Sequence, residues 1–287
     1  GLLVAVDEEG GNVARLANAA GFTLPKYQSA QAVGSTGDPA NARAMGQTIG
    51  SYLKESGINL DFAPVADVNT NPANPVIGKR AFSTDPAVAA QMVAAAVQGF
   101  HDAGVLCTLK HFPGHGDTAE DSHYGTATST KTWAEMQAVE IQPFAAGIAA
   151  GADVVMTAHI TTPNATQDDL PASLSYTMLT ERLRGELGFT GVICTDSLSM
   201  QAIRDHFSPA EAAVMALNAG ADLLLMPTSL PEAFDGVLQA VQSGTISEER
   251  LNESVRRILT LKQKAGLELD NRTPLQKALD AFRLGGN

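Results

Sequence analysis

Six short apolar runs punctuate the chain, at residues 2–6, 60–65, 105–109, 154–157, 192–194 and 223–226. None alternates between polar and apolar positions, so each needs cover on both faces, as strands of a helix-flanked parallel sheet do. The stretches between them supply that cover. At 42–55, 87–103, around 144–149, and at 178–187, 210–218, 231–242 and 248–264, apolar residues recur every three or four positions. Met45, Ile49 and Leu53 make one such stripe; Val93, Val97 and Phe100 a second; Leu179, Leu183 and Leu187 a third; Leu251, Val255 and Ile258 a fourth. These stripes read as core-facing packing. Ser247 followed by Glu248 and Glu249 reads as a helix start, a capping side chain followed by acids at the positive end of the dipole. Strand, loop and helix in repetition predict an α/β fold with a parallel sheet, a TIM-type barrel being preferred over an open sheet.

A closed barrel of that type needs eight strands, against the six found. Either two go unrecognised or they precede Gly1. The chain starts without an initiator Met, which favours the second, so the expectation is a barrel lacking its first two strands. The expected layout is one barrel domain over residues 1–267 and a more polar tail or linker over 268–287.

Loops after the strands of such a barrel converge on one face, where chemistry gathers. The first run is followed by Asp7, Glu8, Glu9 and, further on, Arg15; the second by Asp67, Asn69 and an Asn-Pro-rich stretch ending in Lys79 and Arg80. Between Lys110 and His123 lies the densest polar stretch, with His111, His115 and His123, half of the six histidines. The fourth run is followed by His159 and the fifth by Thr195, Asp196 and Ser197. Five of six strand ends thus carry ionisable groups, which suits a polyhydroxylated ligand that needs many oriented donors and acceptors. Asp121 stands two residues from His123, where a carboxylate can orient an imidazole and raise its basicity for proton transfer. On spacing alone Asp196 is equally a pocket carboxylate and a helix cap.

Charge excludes other classes of function. With 19 basic and 31 acidic residues the net charge is −12 and there is no basic block, the wrong sign for a nucleic-acid surface. No apolar run is long enough to span a membrane, and no charged-then-apolar signal opens the chain. Cys107 and Cys194 both fall in apolar strand-like runs and read as buried core residues. Compartment and oligomeric state are not specified: a cytoplasmic protein fits, as does an exported one whose signal segment is missing from this chain.

The stretch KHFPGHGDTAEDSH, with VAVDEEGG and APVADVNTNPANPVIGKRAF before it and GVICTDSLSM after it, resembles glycoside hydrolase family 3, in particular its bacterial β-N-acetylglucosaminidase branch. The resemblance implies a retaining exo-β-N-acetylglucosaminidase with a TIM-type barrel, acting on muropeptide or chitin-derived saccharides through a covalent glycosyl-enzyme intermediate, with no cofactor or metal. It implies Asp196 as nucleophile, His123 as acid/base and Asp121 as the residue that orients it. Asp7, Arg15, Arg80, Lys110 and His111 match the sugar-binding set, although for Arg15 an ion pair on a helix is an equal reading. Glu8 and Asn12 depart from the Gln and Arg common in relatives, and Ser197 follows the nucleophile at a variable place. Three readings stand beside this one: a β-glucosidase of the same family, a metal-dependent barrel hydrolase built on His111, His115, His123, His159 and Asp117, and a binding protein without turnover.

Overall fold

The computed structural model describes residues 1–120, 125 and 127–267. The strands are β1 (Ala5–Val6), β2 (Glu8–Gly10), β3 (Val13–Ala14), β4 (Leu60–Asp61), β5 (Leu106–Phe112), β6 (Ala127–Thr128), β7 (Val154–Thr157), β8 (Ile160–Thr161) and β9 (Val192–Thr195). The helices are α1 (Ala30–Gly34), α2 (Pro39–Glu55), α3 (Pro86–Ala103), α4 (Trp133–Ala138), α5 (Ile141–Ala149), α6 (Pro163–Thr166), α7 (Gln201–Arg204), α8 (Pro209–Ala219), α9 (Leu230–Gln242) and α10 (Glu248–Lys264). Five strands form a curled parallel sheet in the order β1-β4-β5-β7-β9. The sixth run contributes a parallel bridge, Leu223 to Cys194, with the Thr195 amide donating to the Leu223 carbonyl at 3.0 Å.

Strand lengths correct the sequence reading at several points. The runs at 2–6 and 60–65 form regular strand only over Ala5–Val6 and Leu60–Asp61, whereas the run at 105–109 continues to Phe112 and takes Lys110 and His111 out of the loop into β5. Its register against β7 shifts between Leu109 and Phe112, and Lys110 bridges Val65 instead. Residues Thr177–Glu186 wind as a π-helix, with Met178, Leu179 and Leu183 buried.

Alternate side chains of the strands feed two apolar layers, as the period of two requires. Cys107, Leu109, Val155 and Ile193 face the main core with α2, α3 and α5, while Leu60, Leu106, Val154, Met156, Val192 and Cys194 form a second cluster with Leu261 of α10. Both cysteines are free and buried. The α2–α3 pair is closely apposed because both helices carry glycine at the contact. A Cβ at Gly99 would stand 2.1 Å from the Arg43 carbonyl, and one at Gly46 2.5 Å from that of Ala96. Both helices start on aspartate caps followed by proline: Asp38 accepts from the Ala40 amide, and Asp85 from those of Ala87 and Val88. The start of α10 is as read, with Ser247 accepting from the Arg250 amide.

The last two helices depart from the expectation that every stripe faces the core. On α9, Leu230 (70% exposed) and Phe234 (63%) lie on the solvent side with Leu238, and Met226 before the helix is exposed as well. On α10, Val255 is exposed while Ile258 packs with Leu261 against the second cluster, and arginines that reach Asp222 at the start of the sixth run add to the hold. Among the described residues no helix is long and apolar enough to cross a membrane.

Candidate active site

The hairpin β2–β3 brings the first acidic cluster to the strand ends. In extended chain, side chains two apart share a face, so Asp7 and Glu9 point one way and Glu8 the other. Glu8 is buried and accepts the Leu16 amide at 2.7 Å, the Ala17 amide at 2.9 Å and the Tyr52 hydroxyl at 2.8 Å, which locks the turn. Asp61 adds a carboxylate oxygen to the Glu8 amide at 3.0 Å. The result is a rigid ledge presenting Asp7 and Glu9.

Lys110, buried in β5, reaches that ledge, with Nζ 2.7 Å from Asp7 Oδ1 and 2.6 Å from Glu9 Oε1. Arg80 meets Glu9 in two parallel bonds, Nε to Oε2 at 2.8 Å and Nη2 to Oε1 at 2.7 Å. This fork geometry fixes the guanidinium in direction as well as place. Its Nη2 also lies 3.2 Å from His111 Nε2, and His111 Nδ1 lies 2.7 Å from Asp67 Oδ2. Asp67 then accepts the His111 amide at 3.2 Å and the His115 amide at 2.6 Å. One connected chain of charges therefore runs Asp7, Lys110, Glu9, Arg80, His111, Asp67.

The stretch after β5 lies tight on the stretch after β4. A Cβ at Gly116 would fall 2.0 Å from the Val68 carbonyl, and Asn74 Nδ2 donates to the His115 and Thr118 carbonyls at 2.8 and 2.9 Å. Asp117 is held by Thr70 Oγ1 at 2.6 Å and by Lys131 Nζ at 3.1 Å. His115 takes the Thr118 hydroxyl at 2.7 Å. Asp121 and His123 lie outside the described residues.

Asp196 follows β9 directly. Its amide donates to the Thr157 carbonyl at 2.9 Å, and its Oδ1 accepts the Ser197 amide at 2.7 Å. Burial by itself would raise this carboxyl, but His111, His159, the Ser197 amide and Lys110 outweigh it and hold Asp196 below the usual aspartate range. The helix-cap reading is not what its side chain does: the next helix, α7, begins at Gln201 on Met200 with no side-chain cap. His159 is buried beside it, Nε2 donating to the Ser197 carbonyl at 2.9 Å and Nδ1 2.7 Å from Ser173 Oγ.

Glu9 is a strongly perturbed carboxylate of the cluster. Burial pushes it up, yet Lys110, the Arg80 fork and His111 bring it down to about 2. A carboxyl depressed on folding stabilises the protein above its unfolded pKa, near 4.5, and that contribution is lost as pH falls toward 2. Urea unfolding of the parent is expected to shift to lower midpoints across that window. Glu9→Gln should lower the midpoint at neutral pH, because two cations lose their shared partner, and should flatten the acid decline; an unchanged slope in the variant excludes Glu9 as its source.

Asp7, Arg80, Lys110 and His111 thus lie in one network, with Asp196 within electrostatic reach of His111 and Lys110. Arg15 does not join them through its side chain, which is exposed; its amide donates to the Asp7 carbonyl at 3.2 Å. It lies in a turn, which removes the reading as an ion pair on a helix. Glu9 and Asp67 are the additions. The first was legible as the same-face neighbour of Asp7; the second was legible as a strand-end carboxylate, but nothing local marked its pairing with His111. A groove of about 650 Å³ between Gly10, Gly11 and the segment Val76–Arg80 opens beside the cluster. Among the described residues, His111, His115, His159 and Asp117 do not form a group of three ligand atoms close enough to share an ion.

Residues 1–261 match the N-terminal domain of glycosyl hydrolase family 3. The chain belongs to this family. Similar family 3 relatives include Beta-hexosaminidase A of Pseudoalteromonas piscicida, 37% identical over 98% of this chain and 52% of that protein. Beta-hexosaminidase of Stenotrophomonas maltophilia (strain K279a) is 41% identical over 87% of this chain and 73% of its own length. A solved family 3 β-N-acetylglucosaminidase from Paenibacillus sp. superposes with a TM-score of 0.89 at 44% identity, covering 95% of this chain and 52% of that one. The chain spans about half of the first and third of these.

Proposed function

We propose that this family 3 protein is a retaining exo-β-N-acetylglucosaminidase, releasing terminal β-linked N-acetylglucosamine from muropeptide or chitin-type saccharides. The observation that carries the reading is the ionised Asp196 at the tip of β9, beside the chain of charges from Asp7 to Asp67. The relatives' names, beta-hexosaminidase and β-N-acetylglucosaminidase, support the substrate class. The barrel proposed for the whole domain is TIM-type, the curled sheet forming part of it.

In this mechanism Asp196 attacks the anomeric carbon and the glycosidic C–O bond breaks. His123, oriented by Asp121, gives its proton to the departing oxygen. The now neutral imidazole takes a proton from water as that water attacks the same carbon, releasing the sugar and restoring Asp196. Asp7 accepts from sugar hydroxyls, Arg80 and Lys110 donate to hydroxyl or acetamido oxygens, and His111 completes the sugar-binding set, with Arg15 at the rim. A neutral base has a physical advantage here, because a second carboxylate beside Asp196 would raise the pKa of the pair.

Hydrolysis of nitrophenyl N-acetylglucosaminide tests the reading directly. The expected result is turnover that exceeds that of the matching glucoside and survives a strong chelator. Preference for the glucoside makes the protein a β-glucosidase, and loss of activity with chelator at a temperature where the chelated protein stays folded restores the metal-dependent reading.

A further inference from the structure

At the opposite end of the sheet, three elements converge that the hydrolytic site does not use. His101 is in the last turn of α3, Cys107 is the second residue of β5 and Asp153 immediately precedes β7. His101 Nε2 lies 2.9 Å from Asp153 Oδ2 and 3.8 Å from Cys107 Sγ, and the three ligand atoms all lie within 4.8 Å of one another. We propose that His101, Cys107 and Asp153 form a binding site for a borderline-soft divalent cation, zinc above all, that clasps α3 to β5 and β7.

The donor set and its spacing support this. Nitrogen, sulfur and carboxylate oxygen are the ligands zinc takes, with bonds of about 2.0 to 2.3 Å; tetrahedral placement then sets neighbouring ligand atoms about 3.3 to 3.7 Å apart. The observed 2.9 and 3.8 Å bracket that interval and the third pair lies within 4.8 Å, so side-chain shifts of no more than about an ångström complete it. The carboxylate is already oriented from behind, since the Cys107 amide donates to Asp153 Oδ2 at 3.0 Å. A cleft of about 450 Å³ bordered by Gly151, Asp153 and Lys264 reaches the Asp153 side of the cluster and would give a cation its way in. Gly151 leaves room beside the ring, for a Cβ there would meet only His101 Cε1, at 3.8 Å.

Binding has a defined balance. The Cys107 thiol releases its proton to solvent, and the thiolate and Asp153 carboxylate together neutralise the dication. Lys264, half-exposed and ion-paired with Asp153, is displaced into the cleft. It acts as the competitor of the metal, which separates this site from a plain His–Asp–Lys ion network.

Cobalt(II) titration of the purified protein tests the assignment, because a cobalt–thiolate bond gives a near-ultraviolet charge-transfer band. One cobalt per chain should produce the band, zinc should abolish it, and zinc should raise Tm. Cys107→Ser should remove the band, while Cys194→Ser keeps it. His101→Ala, at a partly exposed position that does not depend on core packing, should weaken cobalt binding on the order of tenfold or more. Lys264→Met should tighten it. A parent protein with no band, a band surviving Cys107→Ser, or weaker binding in Lys264→Met overturns the proposal, the last leaving Lys264, His101 and Asp153 as an ion network only.

Discussion

Asp196→Ala is expected to lower kcat for an aryl N-acetylglucosaminide on the order of 10⁴-fold, with a far smaller change in KM. In the proposed mechanism this carboxylate forms the covalent bond, and no other acid among the described residues occupies that strand tip. Lys110 and Arg80 remain paired with Glu9 when it is removed, so the groups proposed to bind the sugar keep their places. Trapping the parent with a fluorinated glycoside should label the peptide that contains Asp196, and the variant should take up no label. Because Asp196 sits among cationic neighbours that hold it ionised, the acid limb of kcat/KM that it governs should fall below the ordinary aspartate range. A label on a different peptide, or a variant within tenfold of the parent, removes Asp196 from the nucleophile's role.

The second large effect lies far from that chemistry, in the clamp around Asp222. This buried carboxylate meets Arg184 Nη2 at 2.6 Å, Arg257 Nη1 at 3.2 Å and Arg250 Nη2 at 3.6 Å. It also accepts the Ser254 hydroxyl at 2.6 Å and the Ile193 amide at 2.9 Å. Three elements depend on it: β9, the π-helical segment and α10. Asp222→Ala leaves three partly buried guanidinium groups and one strand amide without their shared acceptor. Breaking a buried ion pair from one side costs about 3 to 5 kcal/mol, and the loss here should reach that range. Urea or thermal unfolding measures it. Activity per folded molecule should remain close to the parent's, which separates a fold clamp from a site residue. A loss below about 1 kcal/mol, the range of exposed pairs, means the arginines find water or other partners.

The two effects mark the two ends of one sheet. Strand tips that point into the site carry groups the fold must hold against their own repulsion. Strand starts carry Asp153 and Asp222, which tie α3 and α10 to the sheet through His101, Lys264 and the arginines. This division follows from parallel strands, whose equivalent ends all lie on the same side.

Local periodicity was enough to place the six runs in order, because burial on both faces leaves its mark on consecutive residues. The capped helix starts at Ser247 and the polar strand ends with Asp7, Lys110, His111 and Asp196 were legible for the same reason. The partners were not. Lys110 finds Asp7 across 103 residues, Arg80 finds Glu9 across 71 and His111 finds Asp67 across 44, and those pairings depend on strand register and on how one loop rests on the next. That Arg15 turns to solvent, that Glu9 joins two cations, and that Leu230 and Phe234 face outward were decided only when the chain closed on itself. A residue's period records whether it can be buried, but what it meets there is set by contacts between segments that carry no imprint of one another.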